Sequence, residues 1–128
     1  MSTEPNVQRI IRMEHHNQIT YIEIPVGNIA DTKAFFTRVF GWQFTDQNGQ
    51  YTCFHGAGVS GGFYQNPQTF TLAKGTPLLV IFSDNLSSTE NEIRDAGGEI
   101  SKNTFDFPGG KRFHFIDPNG NEFGVWGK

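Results

Sequence analysis

Arginine, histidine, glutamate and tryptophan occupy alternate positions in two short runs, KRFHFI (111–116) and NEFGVW (121–126), joined by the turn-forming residues of DPNG. With Gly120 as a left-handed bulge residue the runs pair as a hairpin, setting Ile116 opposite Glu122, His114 opposite Gly124 and Arg112 opposite Trp126. Phe113, Phe115, Phe123 and Val125 then share one apolar face, while Arg112, His114, Ile116, Glu122, Gly124 and Trp126 share the other. A slip of one residue would mix the sets. A guanidinium, an imidazole, a carboxylate and an indole on one face make a surface that can orient polar groups, move a proton and stack against a flat apolar body. The same residues also fit a plainer account. In it Arg112 and Glu122 neutralise each other at a strand end, His114 is a hydrogen-bonded structural histidine, and Trp126 is core filler or a dimer contact.

The elements that position this face recur along the chain. In ITYIEIPVGNIADTKAFFTRVFGW, Ile22, Ile24 and Val26 alternate as in a strand; Ile29, Phe36, Val39 and Phe40 then follow helical spacing, with Asn28 as N-cap and Gly41 just past the end. A shift of 57 residues carries Asn28 to Asn85, Ile29 to Leu86, Thr32 to Thr89, Phe36 to Ile93 and Gly41 to Gly98. Three strand-like runs follow each helix: WQFT, QYTCF and SGGFY, then EISKN, KRFHFI and NEFGVW. The expectation is an α+β domain of two tandem β-α-β-β-β modules, about 18–64 and 77–127. A Pro-, Asn- and Gly-containing linker, 65–76, joins them, and residues 1–17 form a short helix or an arm.

Composition narrows the partners. The chain of 128 residues suits one domain, and thirteen Phe with fifteen Gly fit short aromatic strands and tight turns. A net charge of −3 with scattered Lys and Arg argues against nucleic acid. No apolar run approaches the roughly 20 residues of a membrane helix. Cys53 is the single cysteine, and the start has no signal-peptide core, so the expected location is the cytoplasm.

The phrase IEIPVGNIADTKAFFTRVFGW and the ending FIDPNGNEFGVW, at this spacing and over residues 18–127, resemble the vicinal oxygen chelate superfamily, which includes glyoxalase I, bleomycin-resistance proteins and extradiol dioxygenases. The resemblance implies modules that curl into a half-barrel of mixed sheet with the helices outside and a ligand site on the concave faces. Metal-using members of the family carry His, Gln or Glu ligands at four positions, which fall here on Tyr21, Gly62, Leu78 and Gly124. Those side chains are not a ligand set for a divalent cation, so no metal and no cofactor is expected. Homodimerisation is common in the family, and open sheet edges give it a motive.

Strand parity sends Tyr21, Glu23 and Pro25 to the concave side. The expected ligand-binding residues are therefore Tyr21, Glu23, Tyr64, Leu78, Val80, Arg112, His114, Glu122 and Trp126, with Phe82 continuing an oily wall and Phe54 in either register. The leading expectation is a protein that binds a small organic molecule without metal between the modules. The alternative is a lyase or isomerase related to lactoylglutathione lyase, metal-independent, with His114 as acid or base and Arg112 or Tyr21 stabilising negative charge. A metal-dependent lyase like glyoxalase I and an interaction module with a vestigial cup complete the set.

Other motifs carry less. GAGVSG (56–61) matches a dinucleotide fingerprint but opens no helix, and GVSGG (58–62) matches a nucleophile elbow without a strand-to-helix turn. Glu14, His15 and His16 are adjacent rather than spaced along a helix face.

Overall fold

The computed structural model describes residues 16–128; most of the N-terminal arm, with Glu14 and His15, lies outside the described residues. The first module runs β1 (Tyr21–Val26), α1 (Ile29–Phe40), β2 (Gln43–Asn48), β3 (Tyr51–His55) and β4 (Ser60–Gln65). The second runs β5 (Leu79–Phe82), α2 (Leu86–Asp95), β6 (Glu99–Phe107), β7 (Gly110–Ile116) and β8 (Glu122–Gly127). Each module makes one open four-stranded mixed sheet, in the orders β1-β4-β3-β2 and β5-β8-β7-β6. This is the expected α+β arrangement of two β-α-β-β-β modules.

Matching local chemistry starts both helices. The Asn28 side chain accepts the Asp31 N–H at 2.9 Å, and Asn85 accepts that of Ser88 at 3.0 Å, each satisfying a donor the helix itself leaves unpaired. The C-termini differ from the repeat. Gly41 takes the left-handed conformation after α1 (φ 72°), but after α2 Gly97 does so (φ 97°), not Gly98. A Cβ on Gly98 would press on Ile93 and Phe35, so that glycine is set by close packing instead.

The hairpin β7–β8 has the register read from the sequence: Ile116 faces Glu122, His114 faces Gly124 and Arg112 faces Trp126, with Gly120 at φ 91°. Strand β6 extends to Phe107, beyond EISKN, with register shifts against β7 between Ile100 and Phe105. The linker is tied down. Phe70 donates its N–H to the Asn121 side chain at 3.0 Å and accepts the Glu122 N–H at 2.9 Å, and Leu72–Lys74 form a 3₁₀ turn.

The helix-facing sides of both sheets close on one aromatic core. Phe36 of α1 lies against Phe63 of β4 at 5.5 Å and Phe123 of β8 at 5.3 Å between ring centroids, and Phe35 touches Phe115 of β7. Ile24, Val26, Phe113 and Val125 complete it, each buried side chain contributing about 1.5–3 kcal/mol through removal from water. Phe54, of open register in the sequence, is in this core and not in a cup. Both sheets thus contribute their helix sides to one shared core. Alternation of apolar residues on both sides of β5 suggests a covered strand, yet Val80 and Phe82 are 41% and 48% exposed.

Candidate functional site

The cup of the first module is a phenol and carboxylate network. Tyr21 and Glu23 on β1 share a face with Gly62 and Tyr64 on β4 and with Tyr51 and Cys53 on β3, through the pairs Glu23–Gly62, Pro25–Tyr64 and Cys53–Gly62. The Tyr21 and Tyr51 hydroxyls are 2.5 Å apart, Tyr51 donates to Glu23 Oε2 at 3.0 Å, and Tyr21 also lies 3.7 Å from Cys53 Sγ. Partial burial raises both phenol pKa values; for Tyr51 the bonds to Tyr21 and Glu23 push the same way. Tyr64 is half-buried beside this network.

The cup of the second module is of another kind. His114 is 2% exposed, yet neither ring nitrogen has a hydrogen-bond partner, and buried Arg112 Nε is likewise unpaired. Burial lowers the His114 pKa, nearby Arg112 and Lys102 lower it further, and Glu122 opposes them, a balance that favours the neutral ring. Glu122 Oε2 lies 3.9 Å from His114 Nδ1, but its oxygens serve elsewhere: Oε1 accepts the Leu72 N–H at 2.8 Å and Oε2 the Ser101 hydroxyl at 2.9 Å. Glu122 is therefore first a structural carboxylate that fastens the linker. Trp126 meets Phe82 and Phe107 edge to face, at 4.9 and 6.1 Å.

The structure thus gathers Leu78, Val80, Arg112, His114, Glu122 and Trp126 in one cup and places Tyr21, Glu23 and Tyr64 in the other. The side-chain hydrogen bonds found for Tyr21, Glu23 and Glu122 stay within their own module or reach the linker. Sequence reasoning missed Tyr51, because the turn after His55 left the register of β3 open. A glycine inside β4 was the available signal, since a strand glycine marks a close approach. It missed Phe105 and Phe107 because the β6 run was cut short, the alternation in TFDF being the clue, and Lys102 because the register shifts on either side of it hide which face it takes.

The four positions at which the family's metal-using members carry ligands do not fit a cation here. A Cβ on Gly62 would overlap the Tyr51 phenol, so that side chain fills the place a ligand would occupy. A Cβ on Gly124 would touch His114, Leu78 and Val80, each at 3.4 Å. Tyr21 is engaged with Tyr51, and Leu78 has no donor. Among the described residues no group of three or more His, Cys, Asp or Glu converges. No helix among them is long and apolar enough to cross a membrane.

No curated protein sequence matches the chain. Solved structures share its fold at low identity. The fosfomycin resistance protein FosX of Listeria monocytogenes matches with TM-score 0.72 and 16% identity over 89% of this chain and 95% of its own. A glyoxalase-related enzyme of Fulvimarina pelagi matches with TM-score 0.71 and 15% identity over 88% of each chain. A lactoylglutathione lyase of Agrobacterium tumefaciens matches with TM-score 0.65 and 16% identity over 88% of this chain and 95% of its own. Residues 18–125 match the sequence pattern of the family to which these folds point, and the chain accordingly belongs to the Glyoxalase/Bleomycin resistance protein/Dioxygenase superfamily.

Proposed function

We propose that the protein binds a small organic molecule in the cup of its second module, without a metal. The observation that carries this reading is His114: a ring almost wholly withdrawn from solvent, on the sheet face opposite the core, with both nitrogens unpartnered. A buried polar group left so costs about 1–3 kcal/mol, which an occupant with matching polar atoms recovers. Trp126 and half-exposed Phe82 supply apolar surface beside it. A thermal-shift screen of metabolites, run with and without a chelator, tests this. The expected result is a saturable shift that the chelator leaves unchanged; stoichiometric metal in untagged protein, whose removal abolishes the shift, overturns it.

A homodimer is part of the proposal. Edge strands β1 and β5 carry exposed Tyr21, Val80 and Phe82, an apolar and hydrogen-bonding border suited to a second copy. Such pairing would set the first cup of one copy against the second cup of the other and supply the opposing wall. Light scattering should give a dimer that Val80→Lys with Phe82→Lys converts to monomer; a wild-type monomer at tens of micromolar overturns it.

One observation favours chemistry as well as binding. A neutral, unpartnered His114 beside Arg112 can accept a proton from a bound substrate while the guanidinium stabilises the resulting charge, the arrangement of a metal-independent lyase or isomerase. In that case His114→Ala loses turnover and keeps ligand binding; undiminished turnover removes His114 from the mechanism.

A further inference from the structure

We infer that the second cup selects an organic anion, a carboxylate or phosphonate on a flat apolar body. The inference rests on the proposed small-molecule site and names the class of its ligand. The ladders of β6, β7 and β8 pair Lys102 with His114, Phe105 with Arg112 and Arg112 with Trp126, so two cations and the unpartnered imidazole lie side by side on one face.

What distinguishes these cations is how they are held. Lys33, Arg38, Arg94 and Lys111 each stand within 4 Å of a carboxylate, whereas among the described residues Lys102 and Arg112, like Lys74 and Lys128 away from the cup, form no salt bridge. They rest instead on aromatic faces. Lys102 Nζ lies 4.3 Å from the Phe105 centroid, and Arg112 Cζ lies 5.4 and 5.5 Å from those of Phe105 and Phe107. A ring orients a cation without cancelling its charge, so both remain available to an anion. Glu122, the carboxylate nearest to His114, is occupied by Leu72 and Ser101.

Among the unpartnered buried nitrogens, Arg112 Nε and the protonated nitrogen of His114 are donors, and a carboxylate or phosphonate offers several acceptors in one small group. A cationic ligand would meet Lys102 and Arg112 beside the imidazole, whereas Glu99, the exposed carboxylate paired with Ile116 on this face, stands two ladder positions beyond His114. The apolar body has its own surface, because Trp126 and Phe82 stand edge to face at the half-exposed side of the cup.

The test is calorimetry on the full chain with three probes of similar shape: 2-naphthoate, 2-naphthylphosphonate and the neutral 2-naphthamide. An anion of either type should bind about tenfold or more tightly than the amide, consistent with charge-assisted hydrogen bonds, and the stronger of the two names the preferred head group. Arg112→Gln and Lys102→Gln should each erase most of that advantage, and Lys33→Gln, outside the cup, should not. Lys102 is exposed, so its variant reports even where Arg112→Gln fails to fold. Equal binding of anion and amide, or anion affinity unchanged in the Lys102 variant, overturns the inference and leaves the small-molecule site standing. Silence with all three probes overturns the inference too, and a blank metabolite screen besides removes the site itself.

Discussion

The two cups share a backbone and differ in almost everything placed on it. Glu23 pairs with Gly62 in the first sheet as Val80 pairs with Gly124 in the second, and Glu23 and Val80 are 57 positions apart, like the two N-cap asparagines. Around this common frame the first cup satisfies itself: the Tyr21, Tyr51 and Glu23 side chains bond one another. The second leaves Arg112 and His114 unpaired beside an exposed apolar edge. The frame decides where side chains point; the side chains decide which cup has bonding capacity left for a ligand. Satisfying a stranded buried donor is worth more to a ligand than competing with hydrogen bonds already made in a completed network.

The largest expected contrast lies in the turns. The DPNG turn of the second module buries Asp117, whose Oδ1 accepts the N–H groups of Asn119 and Asn121 while Oδ2 has no partner. The corresponding turn of the first module, 56–59, has no ionisable side chain. Burial pushes the Asp117 pKa up to about 6, against the pull of its backbone hydrogen bonds. A folded-state pKa above the unfolded one means that the charged form is disfavoured in the fold. Asp117 therefore costs nothing below pH 4 and costs up to about 3 kcal/mol above pH 6. Denaturant unfolding at pH 4.5 and 8 should show this loss in the wild type, and Asp117→Asn should remove it. An identical pH dependence in the variant would refute the assignment.

Next come the two carboxylates. Glu122→Ala strands the Leu72 N–H and the Ser101 hydroxyl and should cost about 2 kcal/mol, whereas exposed Glu23→Ala should cost less than about 1 kcal/mol. Equal losses would mean that the cups do not differ as described.

The paired glycines sharpen the same point. Gly62→Ala must displace the Tyr51 ring and should destabilise by about 1–2 kcal/mol, while Gly124→Ala, which meets its neighbours at 3.4 Å, should stay within about 0.5 kcal/mol. Thermal melts of the two variants compare them directly. A smaller effect than that of Gly62→Ala belongs to Tyr51→Phe. It removes the hydroxyl that joins Tyr21 to Glu23 at a half-exposed position and should cost about 0.5–1 kcal/mol.

Much of the second cup was legible because β7 and β8 alternate cleanly: Phe113, Phe115, Phe123 and Val125 have no stable place except a core, which fixes Arg112, His114 and Trp126 on the other side. Strand β3 offered no such contrast. Tyr51, Cys53 and Phe54 leave both faces partly apolar, so Phe54 could be assigned to either and Tyr51 went unnoticed. Glu122 was readable as a cup residue but not as the acceptor for Leu72, a bond across fifty positions that local pattern does not encode.

By itself the sequence determined the elements, their N-caps and the side of each well-alternating strand that would be greasy, since these follow from periodicity and local hydrogen bonding. Only the tertiary structure decided that the greasy sides of both sheets meet in one core. Phe36 reaches Phe63 and Phe123 at once, and burying both surfaces together removes more apolar area from water than covering each separately with one helix.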